Sequence, residues 1–89
     1  MTEWVPAETI EGGKVVDANG ENLGVIEDVM IDVNRGAIAC AVMACTFPGQ
    51  GDRLLAVPWS ALRRDPARGC FVLDADRETL ALDTRFTYR

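Results

Sequence analysis

The chain has 89 residues, nine basic against fourteen acidic side chains, no histidine, and a net charge of −5. That length holds one small domain and no second, and 48% hydrophobic with 26% charged residues excludes general disorder. The acidic balance repels phosphate backbones, so direct nucleic-acid binding is not expected, even with Arg63, Arg64 and Arg68 close together beside Asp65.

Residues 1–12 read as an extended N-terminal arm. It carries Pro6 and three glutamates without period, and Trp4, Val5 and Ile10 are its only anchors. The start lacks the basic and apolar regions of a signal peptide. The longest apolar run, Ala37 to Cys45, is too short to cross a bilayer. A cytoplasmic protein without membrane insertion is the expectation.

Lys14-Val15-Val16-Asp17 reads as a short strand. Asn19-Gly20 after it favours the positive φ angles of a tight hairpin turn. Asp17 to Asn22 is superficially like a calcium loop, but its glycine comes two positions early and the closing glutamate is missing. Leu23 to Val33 is the longest strand candidate. Val29, Ile31 and Val33 alternate with Met30 and Asp32 while Ile26 falls in the opposite phase, which predicts a β-bulge near Glu27-Asp28.

After a turn at Asn34-Arg35-Gly36, Ala37 to Cys45 is apolar on both faces. A single antiparallel sheet normally leaves one face polar, so this strand is expected to be covered twice, by the domain's own core and by a second copy or partner. Ile38, Cys40, Val42, Met43 and Phe47 are the candidate interface residues. Cys40 and Cys45 are an odd number of positions apart and face opposite sides, so they cannot bridge. Together with Cys70 they read as small hydrophobes in a reducing compartment. Without histidine or paired cysteine spacing, neither a metal site nor any cofactor is expected.

Phe47 to Arg53 reads as a glycine-containing loop in which Gly51 and Asp52 make the turn. It lacks the lysine and the Ser or Thr of a phosphate-binding loop. Leu54 to Val57 is a buried strand that Pro58 ends, since proline has no N–H for a ladder. Trp59 to Leu62 then forms one helical turn, with Trp59 and Leu62 facing inward. Arg63-Arg64-Asp65 leads to a turn at Pro66 to Gly69, and Cys70 to Leu73 is a strand hairpinned onto what precedes it. Asp74 or Asp76 caps a short helix carrying Leu80. A polar tail follows in which Phe86 and Tyr88 share one face if extended. No catalytic constellation emerges. Carboxylates such as Asp28, Asp32 and Asp52, or the Cys70 thiol, have no fixed partner for acid–base or nucleophilic work.

Three stretches resemble the PRC-barrel family in the correct order. Gly13 to Asp28, with Gly20 and Gly24, is similar to that family's opening hairpin. Gly51 to Leu62, with Asp52, Pro58 and Trp59, is similar to its second hallmark, and Phe71 to Asp74 to its closing strand. The resemblance implies an all-β fold with minor helix, a small closed antiparallel barrel of five to six strands over residues 13–83, with 84–89 as a tail. The chain would be a small standalone member of a family that includes the cytoplasmic domain of the reaction-centre H subunit and the C-terminal domain of a ribosome-maturation factor. It implies protein contacts and no catalysis. The functional expectation is an adaptor that binds an unidentified protein and forms a homodimer through strand 37–45. The alternative is a ribosome-assembly module that contacts a ribosomal protein.

Overall fold

A computed structural model describes residues 4–49 and 51–82. The elements are α1 (Ala7–Ile10), β1 (Lys14–Val16), β2 (Asn22–Asp32), β3 (Ala37–Phe47), β4 (Gly51–Pro58), a 3-10 turn (Trp59–Ala61), β5 (Leu62–Asp65), β6 (Cys70–Leu73) and α2 (Arg77–Leu82). The six strands form one sheet in the order β4-β3-β2-β1-β6-β5.

The β2–β3–β4 meander is the frame. β3 is a strand and not a helix, as its β-branched residues and short length predict. The predicted bulge is present: Ile26 pairs with Met43 and Asp28 with Val42, leaving Glu27 unpaired. A second bulge leaves Ala39 unpaired on β3, and a third leaves Leu23 unpaired where β1 meets β2. Each extra residue adds local twist, which is how so short a sheet curls. Leu80 from α2 and Ile10 from α1 close over the inner face, joining Val15, Leu23, Ile26, Met43, Phe47, Leu55 and Phe71 in the core.

The sheet is not the closed antiparallel barrel expected from the sequence. Among the described residues no ladder joins its two edges, β4 and β5. Those edges are nevertheless linked by only the three residues of the 3-10 turn, so the sheet must bend until they meet at one end. Pro58 cannot donate at the end of β4, and the chain leaves the ladder there. The pairing is also not wholly antiparallel, because β1 and β6 run parallel with Val15 opposite Phe71 and Val16 opposite Val72. Both strands head toward the acidic turns at Asp17 and Asp74, which places those turns at the same end of the sheet.

Other segments differ locally from expectation. The N-terminal arm is not extended throughout, since Ala7–Ile10 forms a helical turn that buries Ile10. Gly12 donates to the carbonyl of Ile26 (2.7 Å), and Ile26 donates to Gly13 (2.9 Å). Trp4 does not anchor the arm and is 87% exposed. β4 begins at Gly51, so the 47–53 loop shrinks to the three residues between Phe47 and Gly51. Arg63–Asp65 is part of an edge strand, with the Arg64 guanidinium 5.2 Å from the Phe71 ring centre. The C-terminal helix is present, and the Thr79 N–H donates to the Asp76 carboxylate (2.7 Å). Phe86, Tyr88 and the rest of 83–89 lie outside the described residues.

Candidate functional site: an apolar sheet face

Alternation along β3 divides its side chains between two surfaces. Ala41, Met43, Cys45 and Phe47 point into the core. Cys40, Val42 and Ala44 point outward, and their cross-strand partners define three rows: Val25–Ala44–Leu54, Asp28–Val42–Ala56 and Met30–Cys40–Pro58. Eight of these nine positions are apolar, and the exception is Asp28. Val42, at the centre, is only 2% exposed, whereas Val25 (42%) and Met30 (41%) stand out on the β2 side. Small residues at Cys40, Ala44 and Ala56 keep the middle of this surface flat.

The interface residues expected from the sequence therefore separate. Cys40 and Val42 lie on the outer face, and Ile38 is half-buried against the core at the end of β3. Met43 and Phe47 are corrected: both point inward and are buried in the chain's own core, because odd positions from 41 to 47 share the inner face. Sequence reading missed Val25, Leu54 and Ala56. Their signal was cross-strand register, which no local pattern carries.

Polar groups border the apolar rows. Asp28 accepts from the Val29 N–H (2.8 Å), and the Thr46 hydroxyl donates to Asp52 (2.6 Å) one row beyond Ala44 and Leu54. Asp52 is thus a strand residue of β4. Gly51 has φ +79°, and Gly20, in the β1–β2 turn, has φ +84°. Asn19 does not share that positive φ, so the turn is not the mirror-image hairpin type its Asn-Gly suggests. It is held instead by Asp17, whose buried carboxylate accepts from the N–H groups of Asn19 and Glu21, each at 2.9 Å. Gly24 lies so close to β3 that a β-carbon there would collide with the Ala44 carbonyl.

Two of the clefts elsewhere among the described residues involve side chains of the core or packed on it. One of about 610 Å³ has Leu23, Phe47 and Pro48 at its base and Asp17, Glu21, Asp76 and Glu78 around it. The other lies where the 3-10 turn meets β3, between Trp59, Ile38 and Arg35. Trp59 and Leu62 are half-buried and pack on the core. Cys45 is buried, and burial pushes its thiol up, opposed by the Arg77 and Arg53 guanidiniums. All three cysteines are free. Among the described residues no cluster of carboxylates and cysteines is placed to hold a metal, and no helix is long and apolar enough to cross a membrane.

A six-stranded sheet with a Pro-Trp corner, one apolar outer face and two short helices defines a small, mostly β module. The chain belongs to the PRC-barrel domain family, whose model matches residues 5–80. No curated protein matches it significantly. Among solved structures it is similar to the 16S ribosomal RNA processing protein RimM from Pseudomonas aeruginosa, with 25% identity and a TM-score of 0.49. That likeness covers 83% of this chain and 45% of the RimM chain, so the present chain spans less than half of that protein.

Proposed function

We propose that this PRC-barrel domain is a non-catalytic protein-interaction module that self-associates through the outer face of β2, β3 and β4. The observation that carries this reading is the set of three paired rows with eight apolar positions out of nine. Val42 is already buried and forms the floor of that face, and the accessible apolar surface comes from Val25, Met30 and Pro58 with the half-buried Cys40, Ala44, Leu54 and Ala56. Burying it in a symmetric pair removes apolar surface from water at about 25 cal/mol per Å². Three strands about 4.8 Å apart, with residues every ~3.4 Å, give the rows a footprint of roughly 300 Å². A standard interface buries about 800 Å² per partner, so the rows form the core of a modest, reversible dimer. Light scattering at tens to hundreds of micromolar tests this, and a strictly monomeric mass over that range refutes it.

A second reading is contact with a basic protein such as a ribosomal protein. Net charge −5 and the cleft whose lining sets Asp17, Glu21, Asp76 and Glu78 against the single base Arg77 support it. Co-sedimentation with small-subunit precursor particles at low salt tests it, and absence from those fractions counts against it.

A further inference from the structure

Resting on the self-association reading, we infer which way the two copies stack: the twofold axis runs along the strands, so that β2 of one copy lies over β4 of the other. For sheets packed in the aligned manner, two in-plane twofold axes bring this face against itself. An axis across the strands lays β2 on β2 of the second copy. An axis along the strands lays β3 on β3 and β2 on β4, with the sheets inclined at about 30° as twisted sheets pack.

The distribution of charge separates the two. On β2, Asp28 stands in the middle row and Glu27 is the unpaired bulge residue beside it, both exposed. The same row on β4 carries Ala56, half-buried and uncharged. Stacking β2 on β2 brings the two acidic edges together across a gap of about 10 Å, with apolar residues beside them and no base on the rows to compensate. Like charges juxtaposed in this way cost several kcal/mol at an interface.

Stacking β2 on β4 sets each Asp28 over the partner's Ala56 instead. The two acidic edges then lie on opposite sides of the interface, displaced by two strand spacings of ~4.8 Å in addition to the sheet separation of about 10 Å. The backbones bearing the acidic residues then stand roughly 14 Å apart instead of about 10 Å, and their carboxylates no longer point at one another within the gap, so the repulsion is weaker. The apolar rows overlap in full, with Val25 over Leu54 and Met30 over Pro58.

The test is the dimerisation constant from sedimentation equilibrium, measured on the full chain, with circular dichroism confirming the fold of each variant. Ala44→Asp and Leu54→Asp probe the face itself and should abolish the dimer. Ala56→Asp should loosen it roughly tenfold or more, because the new carboxylate meets Asp28 of the other copy twice. Adding Asp28→Lys to Ala56→Asp should restore affinity to within about threefold, since opposite charges now face each other. With β2 on β2 both Ala56→Asp and the double variant set like against like at both positions, so the double variant would bind no better than Ala56→Asp alone. That outcome, or an Ala56→Asp variant that dimerises like the parent, overturns the stacking while leaving the self-association reading intact. A dimer unaffected by Ala44→Asp and Leu54→Asp, or a monomeric parent, overturns both.

Discussion

Trp59 meets Phe71 with ring centres 5.8 Å apart and planes inclined at 58°. This tilted contact ties the corner between the two sheet edges to β6, beside the seam that no ladder closes among the described residues. Trp59→Ala should cost about 2–4 kcal/mol, the lower part of the usual aromatic range because the indole is only half-buried. Urea denaturation checks this. A midpoint unchanged from the parent would show that the seam is held without the indole.

Gly24→Ala should destabilise the domain although it adds a single methyl group. The new β-carbon would collide with the Ala44 backbone carbonyl, which cannot rotate away as a side chain could. Either β2 shifts off β3 or the ladder stretches, at a cost of about 1–3 kcal/mol. Thermal melting should show the loss, and Gly36→Ala is a useful comparison because a β-carbon there meets nothing within 4 Å, leaving only the strain of φ +67°.

Asp17→Ala should loosen the β1–β2 turn by about 1–3 kcal/mol, since two N–H groups lose a buried acceptor. Asp17→Asn keeps one carbonyl oxygen in place and should recover part of the loss. Amide exchange at Asn19 and Glu21 reads the effect locally. Equal protection in parent and alanine variant would remove Asp17 from this role.

Thiol labelling of the native chain should proceed at Cys40 before Cys45 and Cys70. Cys40 is half-exposed on the outer face and the other two are buried. Burial also raises the Cys45 pKa, which keeps that thiol protonated and slow to react. If the copies stack as inferred, Cys40 labelling should slow as protein concentration rises. Mass spectrometry of peptides at two concentrations decides both points.

Asp76 should titrate below an ordinary aspartate, because its carboxylate accepts hydrogen bonds from the backbone N–H and the hydroxyl of Thr79 at the start of α2. The folded-state pKa is depressed, so the stabilisation is present above the unfolded value of about 3.9 and is lost as pH falls through the folded value. The melting-temperature gap between the parent and Asp76→Ala should therefore be constant near neutrality and shrink to nothing in strong acid. A gap that persists at pH 2 would assign the effect to something other than this charge.

Local pattern carried the bulge at Glu27, because Ile26 could reach the core only through a phase break, and it carried the doubly apolar character of β3. It did not carry the parallel β1–β6 pair, whose partners Val15 and Phe71 are far apart in the chain and share no turn. It under-read β5, where Arg63, Arg64 and Asp65 look like a solvated turn although the Arg64 guanidinium lies over the Phe71 ring. Met43 and Phe47 were assigned to an interface because hydrophobicity alone does not say which face a residue takes. The ladder to β2 and β4 does. Sequence likewise left out Leu54 and Ala56, which join the outer face only through their pairing with Ala44 and Val42.

The two-rung ladder of β1 with β6 has a kinetic consequence. Besides the three-residue corner at Trp59–Ala61, it is the one backbone join between the β1–β4 meander and the β5–β6 hairpin among the described residues. Closing it requires bringing Val15 to Phe71 after most of the chain has been laid down, which is the slow, non-local kind of contact. Native-state deuterium exchange should therefore divide the molecule into two cooperative blocks. The hairpin amides should open at lower free energy than those of β2 and β3, as the hairpin unzips from β1 while the long meander stays intact.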